Sequence, residues 1–267
     1  QEEIDAIQRV VDSGFYTMGE NVHAFEQVFS NYHSVHSAVM TNSGSSANLV
    51  AVAALIYSTE YDLNPGDEVI VPSLGWATSY YPLHQYGLTM RFVDINLQTL
   101  NYDLNILESA ITPKTRMIMA INILGNPNHL REIRELCDKK DLIMFEDNCE
   151  SFGAKYNGKL TGTWGHVGTF STYFSHHINT IEGGLVLSES KELDSIIRSI
   201  RSHGWDRGID LPMQIETDET RSAFNNGFDF YYPGYNLRPM EFSAAIGIVQ
   251  LKKVENMIKV RRKNAKK

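Results

Sequence analysis

Cysteine is scarce in this chain: Cys137 and Cys149 are the only two among 267 residues. Two cannot build a disulfide framework, and their spacing is not that of a Cys-x-x-Cys metal or redox motif. The expectation is reduced thiols in a cytoplasmic, reducing compartment. Long apolar runs are missing as well. None approaches the roughly 18 residues of a membrane span, and no secretory leader pattern opens the chain, so no membrane partner is expected. A basic excess is also absent, since 24 Lys and Arg stand against 32 Asp and Glu, for a net charge of −8 and a pI near 5.6. A nucleic-acid surface needs a basic face, so nucleic acid is excluded as a partner. What remains is 42% hydrophobic and 21% charged. That is ordinary for a soluble globular chain with core enough for one large domain or two small ones.

Helix and strand patterns alternate. Residues 46–57 (SANLVAVAALIY) have the apolar density of a buried helix, and 129–139 read as a second helix. Short apolar runs at 68–72, 90–93, 116–121, 142–146, 169–174 and 184–187 read as strands, with another ending near Thr41. Apolar strands separated by longer helices predict an α/β fold with a mainly parallel sheet covered on both faces. Ligands in such sheets gather beyond the carboxyl ends of the strands. The polar, Gly- and Asp-rich stretch 206–229 reads as an excursion or loop. An amphipathic pattern (Ile4, Ile7, Val10, Val11) opens the chain and a basic run (261–267) closes it, so it is expected to continue at both ends.

Four motifs fall at strand ends. Ser43-Gly44-Ser45-Ser46 is either an ordinary serine N-cap or a phosphate cradle of free amides and hydroxyls. Glu146, Asp147 and Glu150 are either solvated strand-end acids or the partner of a protonated ring nitrogen. Trp76 is either core or a platform for a planar ligand. His176-His177 admits a metal site, structural imidazoles or acid/base chemistry, but no third ligand at metal spacing is evident and no metal is expected.

These signals occur together, in order, with Thr17-Met18-Gly19, Gly66-Asp67-Glu68, Glu182-Gly183-Gly184, Ser202-His203-Gly204 and Pro233 to Arg238. In this the chain resembles the DegT/DnrJ/EryC1/StrS sugar aminotransferases, pyridoxal-phosphate enzymes of the aspartate aminotransferase fold (fold type I). Members of that family usually carry lysine-asparagine at the sixth and fifth positions before the glutamate of Glu-Gly-Gly. Here those positions hold His176 and His177, and no lysine occurs between Lys159 and Lys191. The pattern Ser175-His176-His177-Ile178 is similar to a histidine-bearing branch of the family that dehydrates sugars at C3. A second histidine branch holds an iron–sulfur cluster on four cysteines, a set that two cannot supply.

The resemblance implies a seven-stranded large domain over 1–255, with 256–267 beginning a small C-terminal domain that is largely missing. It implies pyridoxal 5'-phosphate or pyridoxamine 5'-phosphate as cofactor, bound without a covalent tether. Lysine both tethers the coenzyme and moves a proton, and imidazole retains only the second ability near neutral pH. His176 is then the catalytic acid/base. Asp147 faces the ring nitrogen, and Gly44, Ser45 and Ser171 hold the phosphate. Trp76 stacks on the ring, and Glu150 orients Asp147 or meets the ring hydroxyl. Asn236 reaches the coenzyme of a neighbouring subunit in a homodimer with shared active sites. His203 and Arg207 are weaker candidates for substrate contacts. The implied reaction is C3 dehydration of a nucleotide-linked 4-keto-6-deoxyhexose such as GDP-4-keto-6-deoxy-D-mannose, with L-glutamate restoring the amine cofactor, in deoxysugar and O-antigen synthesis. A nucleotide-sugar aminotransferase with an unusual base, or a non-catalytic coenzyme-binding paralogue, are the alternatives.

Overall fold

The structure, a computed structural model, describes residues 1–205 and 228–267. In chain order its helices and strands begin with α1 (Glu2–Ser13), α2 (Glu20–His33), β1 (Ser37–Thr41), α3 (Gly44–Tyr57), β2 (Glu68–Pro72), α4 (Ala77–Gln85) and β3 (Thr89–Val93). They continue with α5 (Leu104–Ala110), β4 (Thr115–Ile121), α6 (Leu130–Lys140), β5 (Ile143–Asp147), β6 (Lys155–Tyr156), β7 (Lys159–Leu160), β8 (Val167–Ser171) and β9 (Gly184–Ser188). The last two are α7 (Lys191–Arg201) and α8 (Glu241–Ala265). The excursion expected over 206–229 lies almost wholly outside the described residues, as does Arg207.

Seven strands form one sheet in the order β1-β9-β8-β5-β4-β2-β3. Strands β3, β2, β4, β5 and β8 run parallel, and β9 runs antiparallel to both its neighbours. Central strands are buried along their full length, with Glu146, Asp147, Thr169 and Ser171 among their buried residues. Helix α7 places Leu193, Ile196, Ile197 and Ile200 on one buried stripe, and Ser190 caps its first turn by accepting from Leu193 N. Each such side chain contributes roughly 1.5–3 kcal/mol by leaving water. Helix α3 is buried almost all round and lies against α7 on one face of the sheet, while α2 and α8 pack together over the other.

One expectation shifts. The strand expected over 169–174 ends at Ser171, because its antiparallel partner β9 begins at Gly184, opposite that residue. Tyr173 and Phe174 therefore belong to the loop 172–183, and both side chains are exposed. Helix α8 passes through residue 255 without a break, so no change of element marks the expected boundary between 255 and 256.

Candidate active site

The register brings the carboxyl ends of the parallel strands level. Ile121 pairs with Asp147 and Asp147 with Thr169, while Ser171 and Thr41 both pair with Gly184. The segments that follow those ends (43–48, 76–79, 147–150 and 171–177) converge on a cleft of about 710 Å³. Gly44, Ser45, Trp76, Asp147, Glu150, Ser171 and His176 all line it. Asn236 does not. It is exposed, bridges Ser202, and accepts from Arg238 Nε at 3.0 Å. His203, with a left-handed φ of 67°, also lies away from the cleft lining.

One wall is the start of α3. Ser43 Oγ accepts from Ser46 N at 3.1 Å and caps the helix, so the N-cap reading of this motif holds. The cap does not exclude a cradle, because the first turn leaves the amides of Gly44 and Ser45 outside the helix ladder. Gly44 is required by close approach: a Cβ there would lie 2.5 Å from Ser171 Cβ and 3.1 Å from Cys149 Sγ. Gly184 serves the same contact from β9, since its Cβ would meet Ser43 O at 2.3 Å. Ser45 Oγ donates to Thr78 Oγ1 at 3.0 Å, which ties the cradle to the start of α4. Trp76 precedes that helix, 70% exposed, at the rim.

The floor is Asp147. Side chains alternate along β5, so Phe145 and Asp147 face α3 while Met144 and Glu146 face the opposite side. Asp147 Oδ2 accepts from Asn48 Nδ2 at 2.9 Å and from Ser79 Oγ at 2.7 Å, and Oδ1 accepts from Cys149 N at 3.0 Å. All three donors are neutral, and no described residue forms a salt bridge with Asp147, which is only 3% exposed. A buried carboxylate surrounded by neutral donors suits a cationic N–H brought by a ligand. Glu150, expected to orient Asp147 or to meet the ring hydroxyl, makes no hydrogen bond to Asp147. It sits past the turn and faces the loop after β4, where its Oε2 accepts from Leu124 N at 2.8 Å. That contact holds Leu124 in its left-handed conformation at the cleft edge.

His176 is half-buried on the loop after β8, with its amide donating to Tyr173 O at 3.0 Å. Burial lowers its pKa below the usual imidazole value, against the opposing charges of Glu150 and Asp147. A neutral imidazole at physiological pH can accept a proton. His177 is lowered too, by burial first and then by Arg261 and His176, and its buried Nδ1 has no partner. Burial pushes the Cys149 thiol well above its ordinary range, which leaves it unreactive. Among the described residues no group of three or more His, Cys, Asp or Glu gathers in a metal-holding cluster. No helix among them is long and apolar enough to cross a membrane.

Reading the sequence missed Asn48, Thr78, Ser79 and Tyr173 as residues of this cleft. Asn48 carried a usable signal, being an amide set in the apolar helix SANLVAVAALIY one turn after Gly44. Ser79 carried none, because its role depends on how α4 packs on α3.

Comparison with known proteins follows the same lines. GDP-4-keto-6-deoxy-D-mannose 3-dehydratase of Yersinia pseudotuberculosis is 50% identical over 265 residues, covering 99% of this chain and 67% of the relative. The solved E. coli GDP-4-keto-6-deoxy-D-mannose-3-dehydratase with bound hydrated PLP matches with a TM-score of 0.94 at 47% identity, over 100% of this chain and 68% of that one. A solved GDP-4-keto-6-deoxymannose-3-dehydratase with a trapped PLP-glutamate geminal diamine matches with a TM-score of 0.94 at 47% identity, over 99% of this chain and 69% of that one. This chain thus spans about two thirds of the length of these relatives. With residues 1–267 all within the match, the chain belongs to the DegT/DnrJ/EryC1/StrS aminotransferase family.

Proposed function

We propose that this chain catalyses loss of the C3 hydroxyl from a nucleotide-linked 4-keto-6-deoxyhexose, with GDP-4-keto-6-deoxy-D-mannose as the leading substrate. It does so with untethered pyridoxal 5'-phosphate or pyridoxamine 5'-phosphate, L-glutamate restoring the amine form, in deoxysugar and O-antigen lipopolysaccharide synthesis. One observation carries the reading: His176 lines the cleft where the family places its lysine, and no described lining residue is a lysine.

When bound, the coenzyme would supply an amine for the sugar's C4 ketone and a conjugated ring that delocalises the electron pair freed at C4′ before that pair leaves with the C3 oxygen. Asp147 holds the proton on the ring nitrogen. The amides of Gly44 and Ser45, with Ser171, bind the phosphate, and Trp76 covers one ring face. His176 takes the proton from C4′ and returns it to the departing C3 oxygen, work suited to a half-buried imidazole kept neutral by burial. Asn236 reaches the coenzyme phosphate of a second subunit in a homodimer. In this reading residues 1–255 form the coenzyme-binding unit and 256–267 lead toward a smaller one. The two free cysteines suit a cytoplasmic setting.

The test incubates purified protein with GDP-4-keto-6-deoxy-D-mannose, pyridoxal phosphate and glutamate, and weighs the products by mass spectrometry. A 3-deoxy sugar is expected, and borohydride should attach no coenzyme to any lysine. A stable amino sugar that keeps its C3 hydroxyl would instead identify an aminotransferase.

A further inference from the structure

The carboxylate at the cleft floor is held by a buried relay that starts on a neighbouring strand. Register sets Thr169 of β8 directly opposite Asp147 of β5. Asn48 of α3 spans the two: Thr169 Oγ donates to Asn48 Oδ1 at 2.6 Å, and Asn48 Nδ2 donates to Asp147 Oδ2 at 2.9 Å. Ser79 Oγ adds a second donor to the same oxygen at 2.7 Å. Thr169, Asn48, Ser79 and Asp147 are all buried, at 0, 1, 2 and 3% exposure.

The chemistry of the amide gives this relay a direction. An asparagine can present either its oxygen or its nitrogen, and only the nitrogen can face a carboxylate without repulsion. Thr169 has one hydroxyl proton, and its nearer acceptor is Asn48 Oδ1, since the alternative, Glu146 O, is 3.4 Å away. The hydroxyl thereby pins the amide with its NH2 toward Asp147. A carboxylate offers about four lone-pair directions. Asn48, Ser79 and the Cys149 amide occupy three, both of those on Oδ2 and one on Oδ1. The fourth is on Oδ1 of a residue that lines the cleft; the Cys149 thiol, a weak donor, also hydrogen-bonds the Asp147 carboxylate.

We propose that Thr169 and Asn48 are positioning residues that fix the plane of Asp147, so that a single lone pair of Oδ1 receives the ring N–H of the bound coenzyme. This rests on the coenzyme reading above.

Coenzyme affinity, measured by fluorescence titration of the full chain with pyridoxal phosphate alone, tests the proposal through a double-mutant cycle. Asn48→Ala is expected to weaken binding about tenfold, the worth of one hydrogen bond to a charged group. In an Asp147→Asn background the same change should cost less than about twofold, because a residue acting through Asp147 has nothing left to act on. Thr169→Val should weaken binding severalfold, and Thr169→Ser, which keeps the hydroxyl, should restore it. The chemical shift of a 15N-labelled coenzyme ring nitrogen should move in Asn48→Ala and Thr169→Val but not in Thr169→Ser. Circular dichroism and melting of each coenzyme-free variant separate binding loss from unfolding. Equal losses in both backgrounds, or Thr169→Val binding like the parent, overturn the relay. A parent protein that binds no pyridoxal phosphate overturns the coenzyme reading together with it.

Discussion

Glu146 and Asp147 are adjacent on β5 and almost equally hidden, at 0 and 3% exposure, yet the fold uses them oppositely. Glu146 points away from the cleft into a closed nest of amides. Its Oε1 accepts from Trp164 N at 2.6 Å and Gly165 N at 2.7 Å, and its Oε2 accepts from Gly162 N at 2.8 Å. Burial raises its pKa, and those amides pull the other way. Asp147 points into the cleft with one direction of its carboxylate met by no donor stronger than the Cys149 thiol. A saturated buried carboxylate is a structural tie, and an incompletely saturated one at a cleft is a place for a ligand's charge. Buried His33 and half-buried His176 divide similarly. His33 is wedged among Phe29, Phe152 and Phe170, while His176 opens to the cleft beside Asp147 and Glu150.

Substitutions can break this contrast. The largest effect is expected at His176→Asn, where product formation should fall at least about a thousandfold, as loss of a general acid/base does. Pyridoxal phosphate binding, followed by absorbance, should persist. Product from that variant at the parent's rate would remove His176 from the chemistry. Next comes Asp147→Asn, expected to lower turnover on the order of a hundred- to a thousandfold by withdrawing a preorganised charge. Its coenzyme-free melting temperature should stay near the parent's, so a large fall in melting temperature would place Asp147 with Glu146 as a structural tie.

The histidine contrast is sharpened by pH. Burial holds His33 at about 4 against an ordinary 6.5. As pH falls, the unfolded chain takes up this proton first. The stability His33 contributes is therefore complete above about 6.5 and lost as pH falls through about 4, a change of roughly 3 kcal/mol. Urea unfolding at pH 7 and pH 4.5 should show the loss in the parent and a smaller one in His33→Phe. Parallel profiles for the two proteins would contradict the assignment.

The smallest effect is expected at Glu146→Gln. It should destabilise by about 2 kcal/mol, since an amide cannot accept from all the backbone donors that the carboxylate satisfies. Turnover per folded molecule and coenzyme affinity should be unchanged. A selective loss of turnover there would show that the two acids are not divided as their partners suggest.

Most of the scaffold was legible because buried parallel strands need unbroken apolar runs. Residues 68–72 (EVIVP) could be delimited to the residue, and the buried helix after Ser43 within two residues. Residues 172–174 misread as strand because Tyr173 and Phe174 have strand-like side chains, whereas the strand's end is set by where β9 runs out of partners. The hairpin β6–β7 is two residues a side and turns at Asn157-Gly158, too short for periodicity to reveal. At the site, Asp147, His176 and the Ser43–Ser45 motif were legible as residue types at strand ends, and Ser171 through the family resemblance alone. The partners of Asp147 were not.

The sequence by itself determined the alternation of strand and helix, the motif order and the imidazole at position 176, because each is written in contiguous residues. Tertiary structure alone decided that Glu150 accepts from Leu124, that Asn48 and Ser79 donate to Asp147, and that Thr169 stands behind Asn48. The physical reason is that hydrogen bonds between side chains 68 to 121 residues apart depend on strand register and helix packing, which no local stretch of chain encodes.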